Sequence, residues 1–125
     1  MIEILLVDDE PIVGKRLKPT LEKQGYHVEF FDDGALAIQR LGEHAFDVVV
    51  TDMRMGEVNG IDVLTAALKT RASTRVIVIS GYATMEMARE AMVRGAHEVI
   101  AKPFKPADLR RSIEKACEVL QKIPA

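Results

Sequence analysis

Three acidic residues in a row, Asp8-Asp9-Glu10, follow directly on the apolar run Ile2–Val7, and another carboxylate, Asp52, closes the run Phe-Asp-Val-Val-Val-Thr-Asp that begins at Phe46. Ser80 ends Arg-Val-Ile-Val-Ile, and Lys102 ends His97–Ala101. Every one of these polar groups stands at the C-terminal end of an apolar segment. Singly, each has an ordinary explanation. Asp52 can simply open a solvated loop, and Asp8 to Glu10 can cap a helix that starts at Pro11, where acids favour the positive end of the helix dipole. Capping accounts for one acid, at most two. If the fold brings Asp8, Asp9 and Asp52 together, carboxylates within a few Å of one another raise each other's pKa unless a cation compensates. Oxygen-only ligation suits Mg²⁺, which uses a carboxylate or two and keeps positions for phosphate oxygens. With a hydroxyl and an ammonium facing that ion, the set fits phosphoryl transfer to a carboxylate nucleophile. No glycine-rich phosphate loop is present, so a nucleotide is not the obvious occupant.

The elements that must position these groups can be read from periodicity. Three consecutive valines in Phe46–Asp52 predict a strand buried on both faces, as in a parallel sheet between helices. Ile2–Val7 and Arg75–Ile79 are equally uninterrupted. His27–Phe31 alternates and reads as a sheet edge, and His97–Ala101 is a shorter fifth strand. Between them, helices are predicted over Pro11–Gln24, with Val13, Leu17 and Leu21 inward, and over Gly34–Glu43, with Ala37, Ile38 and Leu41 inward. Gly25 ends the first, and Pro19 inside it predicts a kink. A third helix after Gly60 carries Ile61, Leu64 and Leu68 on one stripe. The fourth, Thr84–Arg94, has two candidate stripes, Met85/Ala88/Met92 and Met87/Ala91, of which one must face the sheet and the other is loose packing or a docking face. The fifth, Pro106–Lys122, buries Leu109, Ile113, Cys117 and Leu120 and leaves Arg110, Glu114 and Glu118 on a solvated face. Strand–helix alternation implies an α/β, doubly wound five-stranded parallel sheet of order 2-1-3-4-5, flavodoxin-like, with its switch point between strands one and three. Ligands bind there, outside the carboxyl ends of the strands.

Composition removes other classes. At 125 residues the chain is expected to form a single domain over 1–125. Lys+Arg 17 against Asp+Glu 19 gives a formal charge of -2, which supplies no global basic field for nonspecific nucleic-acid binding. One cysteine, Cys117, cannot form an internal disulfide and has no metal-ligating companions, which fits a cytoplasmic location. The apolar opening is too short for a membrane span or signal peptide.

From Ile2 to Leu120 the chain resembles the receiver domain of response regulators of two-component signal transduction, on Asp8-Asp9, Asp52, Ser80 and Lys102-Pro103. The resemblance implies that Asp52 is the phosphoacceptor, forming an acyl phosphate from the phosphohistidine of a sensor histidine kinase or phosphotransfer protein. It implies Mg²⁺ held by Asp9, Asp52 and the backbone carbonyl of Arg54, with Asp8 acting largely through water. Ser80 is then the switch hydroxyl, Lys102 pairs with the phosphoryl group, and Lys102-Pro103 is a cis peptide. Arg54 and Tyr82 stand at positions that tune phosphoryl lifetime. Val99 stands where an aromatic switch residue is common, Gly56 where proline is common, and Pro19 is unusual for the first helix.

The function so implied is a signalling switch, not an enzyme beyond phosphorylating and dephosphorylating itself. Its output runs through the face of the fourth helix, fifth strand and fifth helix, onto an output domain or partner. The switch works as a monomer or a phosphorylation-dependent dimer, without direct nucleic-acid or membrane contact. The alternative is a phosphorylation-independent pseudo-receiver that acts as a binding module. A phosphatase using Asp52 as nucleophile would turn over external phosphoesters. An FMN carrier shares the fold, but the acidic rim would repel its phosphate without metal.

Overall fold

The computed structural model describes residues 1–81 and 85–121. Five strands alternate with five helices: β1 (Glu3–Val7), α1 (Pro11–Lys23), β2 (His27–Phe31), α2 (Gly34–Glu43), β3 (Val48–Asp52), α3 (Gly60–Thr70), β4 (Arg75–Ser80), α4 (Met85–Val93), β5 (Glu98–Ala101) and α5 (Pro106–Gln121). All pair in parallel in one sheet of order β2-β1-β3-β4-β5, as expected of a doubly wound fold. The expected positions Thr84 and Lys122, at the ends of the fourth and fifth helices, lie outside the described residues.

The side-chain period of two explains why the central runs are apolar throughout. Leu5, Val7, Val49, Val76 and Val78 face α2, α3 and α4, whereas Ile4, Leu6, Val48, Val50, Ile77 and Ile79 face α1 and α5. Both sheet faces are therefore core. The edges are thinner, as expected: β5 has no fully buried residue, and β2 buries only Val28.

Helix rotation departs from the sequence reading in α3 and α1, and in α4 it decides which of the two candidate stripes faces the sheet. In α3 the fully buried residues are Gly60, Val63, Leu64 and Ala67, with Ile61 and Leu68 only half-buried on the flanks. Gly60 causes this: its bare Cα packs on the main chain of β3, and residues at i+3, i+4 and i+7 follow it onto the sheet. In α4 the inward pair is Met87 and Ala91, while Met85 and Met92 stay outside at 81% and 49% exposure. Val13 is half-buried in α1, and the inward line there is Gly14, Leu17 and Leu21. Gly14 is dictated by Phe30, whose ring carbons would lie 2.4 Å from an added Cβ. Pro19 sits on the exposed face, and α1 runs through it as one element, so the expected kink does not divide it. Gly25 ends α1 with φ +94, a conformation that L side chains rarely adopt. Cys117 is buried, with Leu120 half-buried beyond it.

Candidate functional site

Parallel strands deliver their C-terminal residues to one rim, and the polar groups named above stand on it. Asp8 follows β1 and is 2% exposed; its amide donates to the Phe31 carbonyl at 3.1 Å, which extends the pairing with β2 by one residue. Its Oδ1 accepts the Glu10 amide at 2.9 Å. Glu10 occupies the N-cap of α1 but makes no side-chain capping bond, so the acids do not cap the helix. Carboxylate oxygens of Asp8, Asp9 and Glu10 all lie within 4.8 Å of one another, Asp9 and Glu10 exposed and Asp8 buried. Asp52 closes β3 and is 7% exposed. Its carbonyl accepts the Thr51 hydroxyl at 3.0 Å, and an added Cβ on Gly60 would stand 2.7 Å from that same carbonyl oxygen. The start of α3 is fixed independently by a reciprocal capping box between Asn59 and Asp62. Ser80 ends β4, buried, and its carbonyl accepts the Lys102 amide at 2.8 Å. The Lys102-Pro103 bond is cis, as expected.

Lys102 joins the two halves of the site. Its Nζ donates to Asp52 Oδ2 at 3.0 Å and lies 3.6 Å from Asp8 Oδ2. Burial pushes the Asp8 carboxyl above its ordinary value; the Glu10 amide and Lys102 lower it again, but the charges of Asp52 and Asp9 add to the rise. Burial pulls the Lys102 ammonium down, yet its hydrogen bond to Asp52 and the charges of Asp8, Asp52 and Glu10 outweigh that and leave it raised. One ammonium thus faces two nearly buried carboxylates with two more acids at the mouth. An all-oxygen donor set short of positive charge fits a hard divalent cation.

The expected three-way convergence takes a different form. The tight acidic triplet contains Glu10 as its third member, and Asp52 faces Asp8 through the Lys102 ammonium. Loop geometry is the reason: Asp8, Asp9 and Glu10 are consecutive on one turn, whereas Asp52 arrives from the neighbouring strand. Glu10 is the residue for which the sequence reading offered only helix capping; its one signal as a site residue was adjacency to Asp8-Asp9. Arg54 is exposed and lines an open groove of about 1140 Å³ together with Met53, Ile61 and Met87. Val99 is half-buried against the core on the α2–α4 side. Tyr82 lies outside the described residues. A second groove, of about 700 Å³, opens beside Lys102 and is lined by Glu10, Val13, Arg16, Leu17, Pro103 and Phe104. Among the described residues no helix is long and apolar enough to cross a membrane.

Known proteins resemble this chain in sequence and fold. The response regulator receiver domain family matches residues 4–114. The chain is 36% identical over 115 residues to the response regulator receiver protein CpdR of Brucella abortus (strain 2308), covering 92% of this chain and 96% of that protein. It is 33% identical to the chemotaxis protein CheY of Thermotoga maritima, over 90% of this chain and 94% of that one. Against the alginate biosynthesis transcriptional regulatory protein AlgB of Pseudomonas putida it is 35% identical but spans only 26% of the relative's length. A solved CheY-like receiver domain protein from Methanospirillum hungatei JF-1 superposes with a TM-score of 0.91 at 29% identity, covering 98% of this chain and 99% of that one. A sheet of order 2-1-3-4-5, a rim of acids with a lysine and a cis-proline, and these matches over nearly the whole chain agree: the chain belongs to the response regulator receiver domain family.

Proposed function

We propose that Asp52 accepts a phosphoryl group from the phosphohistidine of a sensor histidine kinase or phosphotransfer protein, and that the resulting acyl phosphate switches the surface formed by α4, β5 and α5. The observation that carries this reading is the Lys102 ammonium held between Asp52 at 3.0 Å and Asp8 at 3.6 Å at adjoining strand ends. A carboxylate oxygen of Asp52 attacks phosphorus in line, the P–N bond breaks, and its electron pair returns to the donor imidazole. Asp8, Asp9, Asp52 and the Arg54 main-chain carbonyl would hold Mg²⁺, which when bound supplies charge neutralisation for the phosphoryl oxygens. Glu10 adds negative charge at the same mouth. Lys102 exchanges its carboxylate partner for a phosphoryl oxygen, and the Ser80 hydroxyl turns toward the same group. Arg54, Tyr82 and Val99 tune the lifetime and the response. Phosphorylation replaces the single carboxylate charge of Asp52 by a phosphoryl group with nearly two negative charges and three acceptor oxygens, so the ammonium and hydroxyl must follow.

Output runs through α4, where Met85 and Val93 are 81% and 80% exposed beside the β5 edge. Adaptable methionine suits a protein partner or a second copy formed on phosphorylation. The chain turns over no external substrate, and neither nucleic acid nor membrane is touched by this domain, which works in the cytoplasm. Incubation with Mg²⁺ and acetyl phosphate should add one phosphoryl mass to the wild type, with none on Asp52→Asn and none in EDTA. An unmodified wild type, or equal modification of Asp52→Asn, refutes the assignment, and an unmodified protein that still binds its partner is the pseudo-receiver.

A further inference from the structure

The connection between β3 and α3, residues 53–59, carries Arg54 and turns at Gly56. Gly56 lies at φ +72 with nothing within 4 Å of an added Cβ. The loop is held from outside. An added Cβ on Gly34, the first residue of α2, would stand 2.8 Å from Val58 Cγ1, 3.0 Å from Val58 Cβ and 3.5 Å from Met55 Cε. Met55 is itself 7% exposed and receives the Thr51 hydroxyl at its sulfur. Gly34 has no positive φ, so its backbone does not demand glycine; the space does. The wall of this notch is firm, because Asp33 caps α2 by accepting the Leu36 amide at 3.1 Å. At the other end of the loop, Gly60 lies against the Asp52 carbonyl and donates its own amide to the Met53 carbonyl at 2.8 Å.

We infer that the Gly34 notch, filled by Val58, is a positioning contact for divalent-cation binding: it fixes the 53–59 loop and with it the Arg54 main-chain carbonyl. The contact ties the cation site to α2, an element that supplies none of the proposed ligands. The inference rests on the metal assignment made above. Gly34 touches no reacting atom and acts only through Val58 and the loop. Partners hydrogen-bonded directly to a metal ligand are worth about 10–100-fold in metal affinity, and a packing contact acting through a loop belongs at or below the low end of that range.

The test is a Mg²⁺ titration followed by the amide shifts of Asp9 and Arg54, with hydrogen exchange at Arg54 and Met55 measured in EDTA, on folded Gly34→Ala, Val58→Ala and the double variant. Gly34→Ala should raise the Mg²⁺ midpoint about tenfold and speed exchange at Met55. The double variant, with the notch emptied from the loop side, should return to the midpoint of Val58→Ala alone. Val58→Leu crowds the same notch from the loop and should mimic Gly34→Ala, which covers the case in which Gly34→Ala does not fold. An unchanged midpoint and unchanged exchange in Gly34→Ala and Val58→Leu overturn the inference alone, as does a double variant weaker than Val58→Ala alone. A wild type whose shifts ignore Mg²⁺ overturns the site assignment itself.

Discussion

Replacing Lys102 by methionine keeps the length of the apolar stem and removes only the ammonium, so the variant isolates the charge that joins Asp52 to Asp8. That ammonium bonds Asp52 at 3.0 Å and lies 3.6 Å from Asp8, and the two acidic side chains are 9% and 3% exposed against 27% for the lysine. A charge-assisted hydrogen bond contributes about 1.5–3 kcal/mol, and stranding a buried charge costs about 3–5 kcal/mol. Because the lysine keeps a quarter of its surface in water, screening places the loss at about 2–3 kcal/mol near pH 7 without metal. The pH dependence follows from the directions of the shifts. The Lys102 pKa is raised above its ordinary 10.5, so its contribution is fully present below that value and is lost as pH rises through the folded one. On the acid side, the Asp8 pKa is already raised above 3.8, and without the lysine it rises further. Protonating Asp8 therefore relieves the variant, and the gap to wild type narrows as the solution is acidified from neutrality toward 3.8. Urea unfolding in EDTA at neutral and mildly acidic pH measures the gap and its narrowing. A variant within about 0.5 kcal/mol of wild type at neutral pH would place Lys102 among ordinary surface charges and refute the reasoning. A gap that does not narrow in acid would show that charge is not its cause.

Other consequences can be checked in the same unfolding assay. Asp8→Asn should stabilise the metal-free protein by about 1–2 kcal/mol near pH 7, because it removes a buried like charge; the gain should vanish as pH falls through the raised Asp8 pKa, and Mg²⁺ binding should weaken. Two glycine-to-alanine changes in helices should have opposite signs. Gly42→Ala meets no atom within 4 Å and should stabilise by about 0.5–1 kcal/mol, whereas Gly14→Ala meets the Phe30 ring at 2.4 Å and should cost about 1–3 kcal/mol. Glu29→Gln should cost about 1 kcal/mol by breaking the paired bonds from Arg40, both at 2.9 Å. Those bonds, from Arg40 on α2 to the edge strand, hold the Glu29 carboxyl below its ordinary 4.5, so its contribution is present above that value and is lost as pH falls through the folded one.

The sequence by itself determined the strands, their order and the rim. Uninterrupted Val and Ile runs can be stable only between two layers of helices, and an acid, hydroxyl or lysine directly after such a run can only leave at the strand's C-terminal end. Asp8, Asp52, Ser80 and Lys102 were legible for that reason, and the cis bond before Pro103 was legible through resemblance. What tertiary structure decided is everything that depends on which surface an element meets. Periodicity gives a helix two or three admissible stripes; the contact of Gly60 with the Asp52 carbonyl chose Val63, Leu64 and Ala67 over Ile61 and Leu68, and the sheet chose Met87 over Met85 and Met92. Likewise, spacing along the chain cannot set distances between loops from different strands. Only the folded rim lets Lys102 bridge Asp8 to Asp52, because side-chain groups from different strands are placed by how neighbouring turns pack, and that packing is a property of pairs of elements.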